Sequence, residues 1–330
     1  MKDQPKTLQQ AIQHFSDPQV CIDAVAALRW PDGKPTCPAC EKQDHYYLKT
    51  QKRWKCKECG RQFSVKLGTI FEDSAIGLDK WLVALWMLVN CKNGISSYEV
   101  SRDLGITQKS AWFMLHRLRL AMKSNSTEKL GGGENSEVEI DETFIGGKLK
   151  NMHRGKQARY RALSYSGNVA GAQGKTAVMG FLDRGQRKVR ATVVKDTSRL
   201  VLQAQVLKHV APDSNVYTDE AGAYGKLGEN DYVHEIVNHA QQYVRGRVHT
   251  NGLENFWSLL KRGLNGTYVA VEPFHLSRYL DEQAFRFNNR KDDRGNKMHD
   301  GQRFELALSQ VAGKRLTFKE VTGKVGETKF

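Results

Sequence analysis

Apolar residues recur at helical spacing between residues 8 and 30, through Ile12, Phe15, Val20, Val25 and Leu28. Pro18 breaks that run and Pro31-Asp32-Gly33 stops it, so a short helical lead-in is expected. A polar and aromatic strand-like stretch and a strand over residues 61–65 follow. Residues 78–90 are densely apolar, carry Trp81 and Trp86, and suit a buried helix. Residues 97–104 read as a helix opened by Ser97 as N-cap, Gly105 supplies a turn, and Thr107 caps a longer helix over residues 108–122. That longer helix is expected to bury Ala111, Met114, Leu115 and Leu118 and to leave Lys109, His116, Arg117 and Arg119 available on the opposite side. Residues 124–136, with Gly131-Gly132-Gly133, break the pattern and mark the best domain boundary.

Beyond the boundary the period changes. Residues 137–140 predict a strand ending in Asp141, residues 176–182 a second, and residues 187–194 a third joined to it through Asp183-Arg184-Gly185. A helix over 198–210, a short strand over 215–218 ending in Asp219, and helices over 253–264 and 274–288 complete the reading. Strands first and helices interleaved afterwards point to an α/β layer structure. The expected organisation is a helical lead-in and a small cysteine-bearing segment over 1–70, a helical region over 74–125, an α/β domain over 135–290 and a C-terminal extension over 291–330.

Composition sharpens this picture. The 330 residues carry 51 Lys and Arg against 36 Asp and Glu, a formal charge of +15, so a polyanionic partner is the first expectation. The opening lacks an apolar core of signal-peptide length, and the longest apolar stretch, residues 81–89, is about half a membrane span. A cytoplasmic protein without membrane partners is expected. Four of the six cysteines fall in two pairs, Cys37-x2-Cys40 and Cys56-x2-Cys59, fifteen residues apart, the spacing of a four-thiolate structural zinc site. Cys21 and Cys91 lie among apolar neighbours and are expected in the core. Lys52, Arg53, Lys55, Lys57 and Arg61, with Tyr46, Tyr47 and Trp54 between them, favour DNA contact by the ribbon. The two helices around Gly105 form a helix-turn-helix candidate, with Gln108, Lys109 and Ser110 near base edges and Arg117 and Arg119 near phosphate. A basic helical hairpin packed against its neighbours is the plainer alternative.

Three separated pieces carry the chemistry: VEIDET ending the first strand with Asp141, VYTDE with Asp219, and HTNGLENFW with Glu254. Glu254 falls in the first turn of an amphipathic helix whose apolar face is Leu253, Phe256, Trp257, Leu260 and Leu264, while Glu254, Ser258 and Lys261 share the other face. Singly, each acid has a structural reading as a turn or helix cap. Three carboxylates converging from two strands and a helix repel one another unless cations sit between them, so the arrangement predicts divalent metal. Two magnesium ions in such a site suit in-line attack on a phosphate.

IDETFIGGK, YTDEAGAY and HTNGLENFWSLLKRGLNGTY, with thirty-four residues between Asp219 and Glu254 and a lysine seven after the glutamate, resemble the D, D, E core of bacterial insertion-sequence transposases, and more narrowly their zinc-ribbon, ISXO-like subgroup. The resemblance covers about residues 20–290 and implies a ribonuclease-H-like catalytic domain, Asp141 and Asp219 as metal ligands, Glu254 as the third acid, and Lys261 near substrate phosphate. Some relatives are described with asparagine as the third residue, which keeps Asn251 beside Glu254 as a candidate; charge favours Glu254, since a carboxylate holds magnesium more strongly than a carboxamide. Multimerisation on paired DNA ends is also implied. Between Gly147 and Lys175 seven basic residues, among them Lys148, Lys150, Arg154 and Lys156, occur without one acid, which predicts a DNA-contacting loop. Element ends and target DNA are the expected substrates. A hydrolytic nuclease and a zinc-dependent DNA-binding regulator are the alternatives.

Overall fold

The computed structural model describes residues 5–132, 135–147, 153–155, 157–158, 174–219, 222–224, 232–237 and 247–323. The chain forms two compact units, one made of residues 1–123 and 289–330 and the other of residues 124–288.

In the first unit the lead-in is two helices, α1 (Leu8–His14) and α2 (Pro18–Arg29). Pro18 starts the second helix rather than merely breaking the first: it occupies the first helical position, where a missing N–H costs nothing, and Asp17 caps the turn by accepting from the Gln19 N–H. Strands β1 (His45–Leu48), β2 (Arg53–Cys56) and β3 (Gln62–Phe63) make an antiparallel three-stranded sheet. Helix α3 (Leu78–Asn90) is buried along nearly its whole length because α1 and α2 cover it, together with α4 (Ser97–Leu104) and α5 (Gln108–Met122). Cys21 lies in this core; Cys91, at the end of α3, is half-buried rather than core. The cap of α4 is Ser96, not Ser97, with a reciprocal capping box to Glu99. Gly105 follows in the left-handed region at φ +59°, and Thr107 caps α5 as expected.

The expected polar face of α5 is corrected. His116, Arg117 and Arg119 are at most 4 % exposed. Arg117 donates to the Glu72 carbonyl at 2.5 Å, and its guanidinium lies 5.4 Å from the ring centroids of both Trp81 and Phe113, so it stitches this unit together and is not free to meet phosphate. Lys109 stays exposed, 4.9 Å from the Phe318 ring. Residues 291–323 do not stand apart: α9 (Asp300–Ser309) packs on α3, and α10 (Phe318–Val321) on α5.

The second unit is built on a five-stranded sheet of β4 (Glu137–Ile145), β5 (Thr176–Asp183), β6 (Lys188–Val194), β7 (Asn215–Asp219) and β8 (Val233–Val237), in the order β6-β5-β4-β7-β8. β4 runs antiparallel to β5 and parallel to β7, and β8 is parallel to β7. Sequence reading ended the first strand at residue 140 and missed β8. The alternation in β5 covers both faces: Ala177, Met179 and Phe181 join a core completed by Leu202 and Val206 of α6 (Arg199–His209), and Val178 and Leu182 join a core with α7 (Asn251–Gly263) and α8 (Leu276–Asn288). The sheet is thus the middle of three layers. Among the described residues no helix is long and apolar enough to cross a membrane.

Candidate active site and metal centre

The four ribbon cysteines are gathered by tight turns flanking β1–β3. Their sulfur atoms all lie within 4.8 Å of one another, with Cys37 and Cys59 at 3.7 Å and Cys40 and Cys56 at 3.5 Å. That separation and donor set suit a tetrahedral, fully protein-ligated zinc ion. The ribbon has a small aromatic core: Trp54 stacks on Phe63 at 5.9 Å, and Trp30, at the end of α2, meets Trp54 edge-on at 5.2 Å. Tyr46 and the basic residues Lys52, Arg53 and Arg61 remain exposed around it.

In the second unit the acids are brought together by register. Glu139 of β4 lies opposite Tyr217 of β7 in a parallel ladder, so continuing by two residues sets Asp219 beside Asp141 on the same face, with the strands about 4.8 Å apart. Asp219 ends β7 as expected; Asp141 lies mid-strand. Helix α7 covers this face through the apolar stripe read from sequence, with Leu253, Phe256, Trp257, Leu260 and Leu264 all buried. Two hydrogen bonds fasten it to β4: the Leu253 N–H donates to Glu139 at 3.0 Å, and Trp257 Nε1 donates to Asp141 Oδ2 at 2.9 Å. Donors four apart on the helix thus meet acceptors two apart on the strand, so α7 runs along β4 in the same sense. Gly180, paired opposite Asp141, makes room for the indole: a Cβ there would lie 2.5 Å from the Trp257 ring.

Asn251 and Glu254 occupy the exposed side of the first turn of α7, three residues apart, and Lys261 is exposed further along. Burial above all pushes the Asp141 carboxyl up to about 6, and the charges of Asp219 and Glu254 add to this against the Trp257 hydrogen bond. The three acids therefore share one electrostatic neighbourhood. Among the described residues the four cysteines are the group whose candidate ligand atoms all lie within 4.8 Å; the acids are not drawn together to that distance. Glu142, on the other face of β4, was not singled out from sequence. Burial, then Asp219 and Asp141, push it up to about 8, and its Oε1 is buried without a hydrogen-bond partner among the described residues.

Glu137 and Glu139, by contrast, are matched by cations. Arg184 bridges both, at 3.6 Å and 2.7 Å, and Arg247 pairs with Glu137 at 3.0 Å. Among the described residues no Lys or Arg pairs with Asp141 or Glu142. Of the acids between residues 137 and 142, Glu137 and Glu139 thus carry ion pairs, while Asp141 and Glu142, whose carboxyls the charge of Asp219 helps to push up, show none among the described residues. Sequence patterning missed the roles of Glu139 and Arg184 because each looks like an ordinary strand or turn residue. Arg184 also donates to His249 Nδ1 at 2.7 Å. Of the basic loop, Arg154 is exposed, and Lys148, Lys150, Lys156, Arg159 and Arg161 lie outside the described residues.

Comparison with known proteins adds the lineage. Residues 129–288 match the model of the ISXO2-like transposase domain, and residues 16–62 that of the transposase zinc-ribbon domain. The chain is 28 % identical over 274 residues to an uncharacterised protein in transposable element ISH50 of Halobacterium salinarum, covering 82 % of this chain and 90 % of that protein. It is 33 % identical over 102 residues to a transposase-like protein of Haemophilus influenzae, covering 31 % of this chain and 82 % of that one. A solved simian T-cell lymphotropic virus intasome in complex with a PP2A regulatory subunit aligns at 14 % identity and a TM-score of 0.27, over 59 % of this chain and 66 % of that chain, a likeness on which no argument rests. The two domain models fall on the two parts that the structure builds around the four cysteines and around Asp141, and the chain belongs to the ISXO2-like transposases with a zinc-ribbon domain.

Proposed function

We propose that this chain is a DNA transposase acting in the cytoplasm, which cleaves the ends of an insertion element and joins them to target DNA. The observation that carries the reading is the placement of Asp141 and Asp219 on adjacent parallel strands, each two residues beyond the Glu139–Tyr217 pair, beneath a helix that presents Asn251 and Glu254, with no cation paired to Asp141 among the described residues. The sheet order, with β4 central, antiparallel to β5 and parallel to β7, supports a ribonuclease-H-like catalytic domain. Asp141, Asp219 and Glu254 would hold magnesium, since neighbouring carboxylates bind hard divalent cations. When bound, magnesium supplies positive charge that offsets the negative charge developing at the reacting phosphate. The chain's own contribution is to hold the carboxylates on a rigid sheet and helix, and Lys261 adds a cation for a neighbouring phosphate.

In the proposed reaction water first opens a phosphodiester at an element end and frees a 3′ hydroxyl. That hydroxyl then loses its proton as its oxygen bonds to a target phosphorus, and the target's own 3′ oxygen leaves. Copies of the chain assemble on paired ends. The test is nicking and strand transfer of a labelled element-end duplex in magnesium by wild type, Asp141→Asn, Asp219→Asn, Glu254→Gln and Asn251→Ala, with binding checked in calcium. Loss of both steps in the aspartate variants with binding retained is expected, and a larger loss in Glu254→Gln than in Asn251→Ala. Nicking without joining in the wild type would make the chain a nuclease. Full activity in either aspartate variant would remove that residue from the catalytic site, and a wild type that binds without nicking would leave a DNA-binding regulator as the better account.

A further inference from the structure

Helix α7 begins without a side-chain cap of its own, since Thr250 makes no capping hydrogen bond. The first N–H groups of a helix have no intrahelical partner, so some other acceptor is needed where the end is buried. The acceptor comes from the sheet. Glu139, 1 % exposed and two residues before Asp141 on the same face of β4, accepts from the Leu253 N–H. Its charge is neutralised by Arg184 from the β5–β6 turn, whose Nε donates to Glu139 at 2.7 Å. The rest of the same guanidinium donates to the carbonyls of Arg247 at 2.5 Å and His249 at 2.6 Å, holding the segment that leads into α7, while its plane lies 4.6 Å from the centroid of the Tyr217 ring. Gly252 allows the contact to be close: a Cβ there would fall 2.2 Å from Leu182 and 2.8 Å from Glu139.

We propose that Glu139 and Arg184 are positioning residues, a clamp that docks the first turn of α7 on β4 and sets Asn251 and Glu254 across from Asp141, so that cation loading of the acidic site depends on it. This rests on the metal-site reading above. Neither residue meets the reacting atoms: Glu139 is occupied by Arg184 and the Leu253 N–H, and the fork of Arg184 is spent on Glu139, Glu137, the His249 ring and two backbone carbonyls. Supporting groups of this kind around metal ligands typically change affinity or activity by roughly ten- to hundredfold.

The test uses the full chain with its zinc, and terbium as probe, sensitised by Trp257 beside Asp141. Arg184→Lys keeps the charge but loses the fork, and Glu139→Gln keeps the shape should the lysine variant not fold. Both are expected to raise the terbium midpoint, and the magnesium midpoint for nicking in parallel, by roughly tenfold or more, with DNA affinity and turnover at saturating magnesium retained. A lower melting temperature with both midpoints unchanged would make the pair a stability element only and overturn the proposal. Asp141→Asn separates the two readings: if it leaves the terbium signal intact, the metal site itself is misplaced, whereas its loss alongside unaltered Arg184→Lys and Glu139→Gln midpoints removes the clamp alone.

Discussion

At Asp141 burial pushes the carboxyl up to about 6 from 3.8, with Asp219 and Glu254 adding to the shift. Because the folded value lies above the unfolded one, the unfolded chain ionises first as pH rises, and stability is lost between about 3.8 and 6 and stays lost above. Asparagine at this position keeps an acceptor for Trp257 Nε1 and removes the charge. Asp141→Asn is therefore expected to melt a few degrees higher than wild type at pH 7.5 without magnesium, the gap narrowing toward pH 4 and on adding magnesium. Scanning fluorimetry checks this; an equal or lower melting temperature at pH 7.5 would show that the site is not electrostatically strained. At this scale the sequence pointed to Asp141 and Asp219 because an apolar run leading into an aspartate is a local pattern; Asp219 does end its strand, whereas Asp141 lies inside β4. It did not reach Arg184, whose partners Glu139, Arg247 and His249 are 45 to 65 residues away in the chain.

Between elements, what was legible followed periodicity. The stripe of α7 and the buried α3 are set by spacing alone, and both are found as read. Helix α5 was misjudged for the opposite reason. Arg117 looks like a surface residue until Glu72, Trp81 and Phe113 surround it, and no local pattern announces that a helix is enclosed on its second side. Strand β8, a short stretch with Val233 and Ile236 exposed, lacks the clean alternation that would have marked it. Helix-to-sheet packing makes a sharp prediction at Gly180. An alanine Cβ would sit 2.5 Å from the Trp257 ring, so the indole must move off Asp141. Gly180→Ala is expected to cost about 1–3 kcal/mol by overpacking and to lower nicking; a fully active variant of unchanged melting temperature would show that α7 does not depend on this close approach. In the ribbon, Cys40→Ser is expected to lose about one zinc per chain and the near-ultraviolet signal of Trp30, Trp54 and Phe63, while the 124–288 unit keeps its own core. Retention of zinc at wild-type stoichiometry would exclude the four-thiolate site.

For the whole molecule the decisive property is charge. The surplus of +15 is a sum over the chain, and it includes Lys148, Lys150, Arg154 and Lys156, which follow β4 within a stretch bearing no acid. A cation that neutralises a DNA phosphate releases a condensed counterion, so log affinity falls with log salt by about 0.9 per phosphate contact. If all four residues meet phosphate, replacing them together by glutamine is expected to flatten the slope by roughly 3 to 4 and to weaken binding across sequences alike, since phosphate contacts carry no base readout. Arg117, buried and hydrogen-bonded to Glu72, supplies the contrast. Arg117→Gln is expected to lower the melting temperature of the protein and leave the salt slope of the folded molecules where it was. Fluorescence anisotropy of an element-end duplex across a salt series measures both. An unchanged slope in the fourfold variant would remove the basic loop from the DNA interface and shift the search to Lys52, Arg53 and Arg61 on the zinc ribbon; a slope that flattens for Arg117→Gln would mean that α5 opens on DNA and exposes a side chain the free fold keeps inside.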